Sequence, residues 1–321
     1  MRVGTVALRQ NFFTHYARQL GTFSGLLGLI LVLWALTPHF FTVSNLLNVA
    51  EQATIIAIVA AGMTFVIITR GIDLSVGSVL AFAGVVMASV LHSRVPLLVA
   101  LLAGLGTGLL CGLVNGLLIT IGRLPPFIAT LGIMSVARGA ALMFTQGRPV
   151  SGFSEGFRSL ATGEILHVPN PVIIMVAVYI IAHFVLGRTK LGRYTYAMGG
   201  NEEATLLSGV NVRVYKTVVY GLCGMLSGLA AILLTARLNS AQPIAGIMYE
   251  LDAIAAAVIG GTSLMGGEGT VLGTLIGALI MAVLRNGLNL LAVSSFIQQI
   301  MIGSVIIIAV LIDMALKRRE K

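Results

Sequence analysis

The chain has 321 residues, of which 57% are hydrophobic and only 10% charged, with a mean hydropathy of +1.01. Soluble domains carry about 25% charged residues, so a water-soluble fold is excluded; a hydrocarbon core roughly 30 Å thick needs about 20 apolar residues per helical crossing, which leaves room for many crossings and for no sizeable soluble domain. The formal charge of +9 is concentrated in loops and at the ends of the chain, where basic residues act as topology signals and not as a nucleic-acid surface.

Residues 1–19 are polar and basic (Arg2, Arg9, Arg18) and lead into an apolar run at 20–37 that lacks a small-residue cleavage site, which predicts an uncleaved first helix. Runs long enough to cross follow at 46–69, 74–91, 97–121, 126–145 and 171–187, then at 214–236, 252–263, 270–291 and 296–316. The run at 252–263 is short for a crossing and is expected to be broken or tilted. Pro38, Pro96, Pro125 with Pro126, Pro169 with Pro171, and Gly266 with Gly267 punctuate the divisions. Cys111 and Cys223 lie inside apolar runs and read as packing residues, not as a disulfide framework.

The pattern therefore predicts an all-α polytopic membrane protein with about ten transmembrane helices. The positive-inside rule puts the basic N-terminal segment, the loop carrying Arg188, Lys190, Arg193, Arg213 and Lys216, and the basic tail 317–321 in the cytoplasm. Six and then four crossings separate these stretches, so the topology closes. Residues 40–44, 146–170 and 238–249 fall outside, and the loops near Arg70, Arg123 and Gly266 inside. Arg94, Arg148 and Arg158 land outside, against the trend. A weak internal echo, Asp73 and Asp252 each opening a run and Asn115-Gly116-Leu117 recurring as Asn286-Gly287-Leu288, fits an inverted repeat.

Polar residues in apolar runs are costly in lipid and so become functional candidates. Asn45, Asn48 and Gln52 share helical spacing, and Asn286 and Asn289 form a similar pair with Gln298 nearby. Amides both donate and accept, which suits transient bonding to a neutral polyol along a translocation path; the alternative is that they tie neighbouring helices together. Asp73, followed by Ser75, either caps a helix or holds a gate. Glu250 and Asp252, beside Gln242 and Tyr249, precede the short run and either cap it or meet a ligand or receptor. Arg138 and Arg285 lie inside runs, and either can pair with Glu51. Arg148 and Arg158 are candidates for docking an outside receptor, or are simply solvated. Glycines at four-residue spacing, Gly104, Gly108 and Gly112 and again Gly269, Gly273 and Gly277, point to close helix packing.

The connector from about 188 to 213 reads Asn201-Glu202-Glu203-Ala204-Thr205-Leu206-Leu207-Ser208-Gly209, a short helix former with acids at its start and a glycine stop. It resembles the coupling motif of ABC importer permeases, Glu-Ala-Ala followed by Gly, with Thr205 standing for the second alanine and the later Leu-Pro absent. The likeness widens to the ribose permease family through Gly71-Ile72-Asp73-Leu74-Ser75-Val76-Gly77-Ser78, Gly192-Arg193-Tyr194, Ala197-Met198-Gly199-Gly200-Asn201-Glu202, Ser240-Ala241-Gln242-Pro243, Tyr249-Glu250-Leu251-Asp252-Ala253-Ile254-Ala255 and Gly260-Gly261-Thr262-Ser263-Leu264.

That resemblance implies a permease domain over 20–316 in the bacterial inner membrane, working with a second permease copy, a cytoplasmic ATP-binding subunit and a periplasmic sugar-binding protein, with both termini cytoplasmic. Ribose ranks first as cargo, ahead of allose, xylose, galactose or a furanose-like signal. None of the four lysines follows a glycine, so no phosphate-binding P-loop is present and ATP with its Mg2+ is expected on the partner subunit. No cofactor, metal site or catalytic residue is expected in the chain itself. A secondary transporter would need an ion site, for which intramembrane acids are sparse.

Overall fold

The computed structural model describes residues 21–319 apart from residue 94; residues 1–20, with the predicted basic segment 1–19, Arg94, the last two residues and the side chains of residues 309, 312, 313 and 315–319 lie outside what it describes. The main helices are α1 (Gly21–Leu36), α2 (Val43–Ile68), α3 (Val76–His92), α4 (Leu97–Thr120), α5 (Pro126–Thr145), α7 (Asn170–Arg188), α10 (Val212–Leu238), α11 (Tyr249–Ile259), α12 (Val271–Leu290) and α13 (Ser295–Arg319). Between them lie three connector helices, α6 (Glu155–Thr162), α8 (Lys190–Gly200) and α9 (Glu202–Leu207).

Local chemistry sets the boundaries. Thr42, Asn211 and Thr270 cap α2, α10 and α12 by accepting the amide N–H three residues on, at 3.3, 3.3 and 3.0 Å. Pro126 and Pro171 sit in the first turns of α5 and α7, where a missing N–H costs nothing. Gln146 and Asn239 close α5 and α10 in the left-handed region, with φ of 51° and 50°.

Six helices, α2, α4, α5, α7, α10 and α12, are long and apolar enough to cross a bilayer. Shorter apolar helices are Gly21–Leu36, Val76–His92 and Ser295–Ile308, and α11 has only eleven residues, in keeping with the short run expected there. The buried share of the apolar window is 83% in α2 and 72% in α10 but 22% in α4 and α5, so α2 and α10 form the centre and α4 and α5 face outward.

Close backbone approach joins α4 to α10. A Cβ added at Gly112 would run into the carbonyl of Tyr220, and one at Gly116 would come within 2.5 Å of the Thr217 Cα. Gly108 meets Gly224 in the same way, so glycines on both partners let the two helices touch with almost no side chain between them. The centre is tied to its neighbours by hydrogen bonds: the hydroxyls of Thr64 on α2 and Thr274 on α12 lie 2.7 Å apart, and Tyr179 on α7 donates to the Ala57 carbonyl at 2.8 Å.

The segment 146–170 is more structured than a loop reading allows. β1 (Val150–Ser151) pairs antiparallel with β4 (Ser240–Ala241), Val150 opposite Ala241, and β2 (Glu164–Ile165) pairs with β3 (Val168–Pro169). α6 lies between them and buries Phe157 fully, in an edge-to-face chain from His92 to Phe153 to Phe157 with centroids 5.6 and 5.3 Å apart. The connector 188–213 likewise holds two helices, α8 and α9, and not one.

Candidate coupling and translocation sites

At the opposite end of the bundle from α6, α8 and α9 form an elbow. Asn201 makes the corner: its side chain accepts from the Ala204 amide at 2.9 Å, and Gly209, with φ of +82°, ends the turn that follows α9. Gly199 is wedged against the Ile68 carbonyl and the Gly267 amide, leaving no space for a methyl group. Around it, the Gly267 amide donates to Ile68 O at 2.9 Å, Arg70 Nη2 donates to Gly200 O at 2.7 Å and the Tyr196 hydroxyl donates to Gly269 O at 2.7 Å. The elbow is therefore bonded at once to the end of α2 and to the loop that joins α11 to α12.

The predicted coupling residues divide by direction. Glu202 is bound within the chain, accepting from Lys216 Nζ at 2.6 Å, and Thr205 is buried with its hydroxyl donating to Asn201 O at 2.7 Å. Glu203, Ala204 and Gly209 are exposed. Leu206 and Leu207 are exposed with them, at 58% and 82%, an apolar pair on a six-residue helix that has no packing reason to be there. The consecutive leucines inside a polar connector are the sequence signal for this face.

The predicted path residues do not share one environment. Asn45 and Asn286 are buried and exchange both amide groups, Asn45 Nδ2 to Asn286 Oδ1 at 3.0 Å and Asn286 Nδ2 to Asn45 Oδ1 at 2.9 Å, and Asn45 also donates to Phe40 O at 2.9 Å. Asn48 is exposed and Gln52 half-buried, so the stripe expected from spacing is not a single face. Gln298 donates to Asn289 Oδ1 at 2.8 Å and to Val293 O at 2.9 Å. Bonding between helices accounts for the Asn45–Asn286 pair. Asn45→Leu alone is expected to lower stability by about 1–2 kcal/mol because it strands a buried amide, and Asn45→Leu with Asn286→Leu by less than twice that, measured by thermal unfolding in detergent.

Asp73 is not the cap of α3. The helix opens at Val76 with Ser75 at the cap position, and Asp73 Oδ1 instead accepts from the Ser75 amide at 2.9 Å and from Ser75 Oγ at 2.6 Å, an Asx turn. Asn115 closes the group, donating to Ser75 Oγ at 2.8 Å. Glu250 and Asp252 do not precede α11 but lie in its first turn. Asp252, nearly fully buried, accepts from Arg285 Nη2 at 2.9 and 3.2 Å; Arg138 Nη1 donates to the carbonyls of Pro243 and Ala245 at 2.7 and 2.8 Å. Neither arginine pairs with Glu51. Gln242 and Tyr249 are half-buried, and Arg148 and Arg158 are exposed at the α6 end. Among the described residues no group of His, Cys, Asp and Glu could hold a metal ion.

A bundle of long apolar helices with a short helix set between them and an exposed elbow at one end defines a multi-pass membrane permease. The family model described as branched-chain amino acid transport system / permease component matches residues 45–310. The chain is 50% identical to the ribose import permease protein of Escherichia coli K12 over 98% of its own length and 99% of that protein, and 50% identical to the ribose import permease protein of Bacillus subtilis 168 over 94% of each. It is 38% identical to the D-allose transport system permease protein of Escherichia coli K12, over 91% and 90% of the two chains. No solved structure matches. The chain belongs to this family of transport-system permeases, in its ribose permease branch.

Proposed function

We propose that the chain is the membrane-spanning subunit of an ATP-driven ABC importer that carries ribose into the bacterial cytoplasm. The observation that carries this reading is the half-identity to ribose import permeases of two distant bacteria along nearly the whole chain, against a lower identity to the allose permease. Its part is translocation and not catalysis, and ATP hydrolysis falls to a separate cytoplasmic subunit. The exposed face of Glu203, Leu206 and Leu207 suits docking into a groove on that subunit. A push on α9 reaches α2 through Gly199 and Arg70, and α11 through Gly267 and Gly269.

In this reading the ten main helices are ten crossings, with both termini and the α8–α9 elbow cytoplasmic and α6 with Arg148 and Arg158 facing a periplasmic sugar-binding protein. A second permease copy completes the assembly. An inverted repeat is supported by a shared arrangement: Asp73 lies beside Asn115 of the following long helix, and Asp252 binds Arg285, next to Asn286 of its own.

The test is labelled ribose uptake in cells lacking their own ribose permease, supplied with this chain, its ATPase and its binding protein. Uptake that is lost on replacing Glu203 and Gly209 at normal membrane levels supports the reading. Uptake without the ATPase overturns the ABC mechanism, and no ribose uptake by an assembled complex overturns the cargo.

A further inference from the structure

α7 is long enough for one crossing: its 19 residues span about 28 Å, and Arg188 is the last of them. Val176, Ile180 and Phe184 are exposed at four-residue spacing, so they form one ridge turned to the lipid, and Arg188 is the next position along it. The ridge therefore ends in a guanidinium at headgroup depth. Beyond it the chain turns tightly. Thr189 accepts from the Gly192 amide at 3.4 Å, and Gly192 lies so close to the Leu186 carbonyl that a Cβ there would collide with it. α8 therefore starts level with the end of α7, and Arg193 Nη1 donates to Arg188 O at 3.5 Å.

A second long helix brings a cation to the same place. α10 opens with Arg213 exposed, followed by exposed Val214 and Val218, and its Tyr215 meets Tyr194 of α8 edge to face with centroids 4.6 Å apart. Arg193 and Arg213 thus lie within two residues of one aromatic contact. Lys190, in the first turn of α8, is exposed as well. Among the described residues none of these four cations makes an ion pair: Glu202 is bound to Lys216, and Glu203 pairs with none of them. Basic residues that only orient a chain in the membrane need not converge, and like charges gathered without a carboxylate repel one another. Here they gather at the foot of an apolar ridge, beside two phenols of the kind that sit at headgroup level. The arrangement calls for an anion with an apolar body.

We infer that Arg188, Lys190, Arg193 and Arg213, with Tyr194 and Tyr215, form a binding site for an anionic phospholipid of the leaflet on the elbow side. The headgroup phosphate lies on the guanidinium groups, whose forked donors suit it, and the acyl chains run along the α7 ridge. A water-soluble acidic surface would meet the charges alone, whereas a lipid also covers Ile180 and Phe184, which continue from the charges into the hydrocarbon. The site joins α7, α8 and α10, so a bound lipid braces the elbow from the membrane side. The inference goes beyond the importer reading and does not depend on the cargo.

The test titrates full-length permease, purified in detergent, with phosphatidylglycerol or phosphatidylcholine and counts bound lipid by native mass spectrometry. Wild type is expected to bind phosphatidylglycerol in preference to phosphatidylcholine. Each cation near an anionic headgroup contributes about fivefold, so Arg188→Gln, Arg193→Gln and Arg213→Gln together are expected to lower the affinity for phosphatidylglycerol about a hundredfold. Arg188→Lys, Arg193→Lys and Arg213→Lys together keep the charge and are expected to keep most of the affinity, an outcome that general loss of structure would not give. Arg148→Gln with Arg158→Gln, at the opposite end of the bundle, is expected to change nothing. Should the triple glutamine variant not fold, Arg213→Gln alone is expected to lose about fivefold and decides. No preference in wild type, or an equal loss from the Arg148 and Arg158 changes, overturns the site. Full affinity in a folded glutamine variant overturns it too, and loss of ATPase co-purification from that variant would assign the patch to the ATPase instead.

Discussion

Replacing Leu206 and Leu207 together by aspartate is expected to abolish ribose uptake while the permease still reaches the membrane and runs as a single species in detergent. Each leucine buried on docking contributes about 2 kcal/mol, so exchanging both for charged residues weakens binding of the ATPase by about a thousandfold or more. The permease itself loses nothing, because both side chains are already in water in the isolated chain. Co-purification of the ATPase with tagged permease checks the first half and the melting temperature of the permease alone the second. Retained ATPase at wild-type amounts would show that α9 is not the docking surface. Glu202→Ala makes the contrast: it breaks the bond to Lys216 and loosens the elbow, so it should lower the coupling of hydrolysis to uptake more than it lowers ATPase retention.

The second large effect is structural. Gly112→Val should prevent accumulation of folded permease, because its Cβ would occupy the position of the Tyr220 carbonyl and neither helix has a side chain that can swing aside. Overpacking a yielding core costs about 1–3 kcal/mol, and a collision between two backbones exceeds that range against a total stability of about 5–15 kcal/mol. Gly106→Ala, six residues earlier on the same helix, meets nothing within 4 Å and should leave yield and melting temperature unchanged. Fluorescence-detected size exclusion of tagged variants reads both. An equal loss in the two variants would mean that α4 tolerates no change of any kind, and a neutral Gly112→Val would mean that α4 and α10 do not touch as described.

Much of the helical frame was legible in the sequence because apolar length is a strong signal. The run at 97–121 becomes Leu97–Thr120, and that at 126–145, bounded by Pro126, becomes Pro126–Thr145. α6 and α8 left no such trace: they are amphipathic connectors whose apolar residues, such as Phe157 and Met198, are too few to form a run. Periodicity gives a residue its face but not its partner. Asn45 and Asn286 were both recognisable as misplaced amides, yet the bond between them spans 241 positions and needs the packing of α2 on α12 to be known. Arg285 and Asp252 present the same difficulty at 33 positions. The partners of Arg138 are backbone carbonyls, which every residue possesses, so no residue pattern could single them out. Asp73 shows a different limit: an aspartate before an apolar run suits a cap and an Asx turn equally, and the hydroxyl of Ser75 selects the turn.

The two polar contacts between α2 and α12 have a mechanical meaning. One lies at Asn45 with Asn286 and the other at Thr64 with Thr274, so the same two helices are pinned at both ends of their contact. Sliding them by even one residue would break both pins together and strand the buried amide of Asn286, whose side-chain hydrogen bonds go to Asn45. They behave as a single beam. The rearrangement that lets a substrate cross is therefore expected to leave this pair intact and to turn other helices about it.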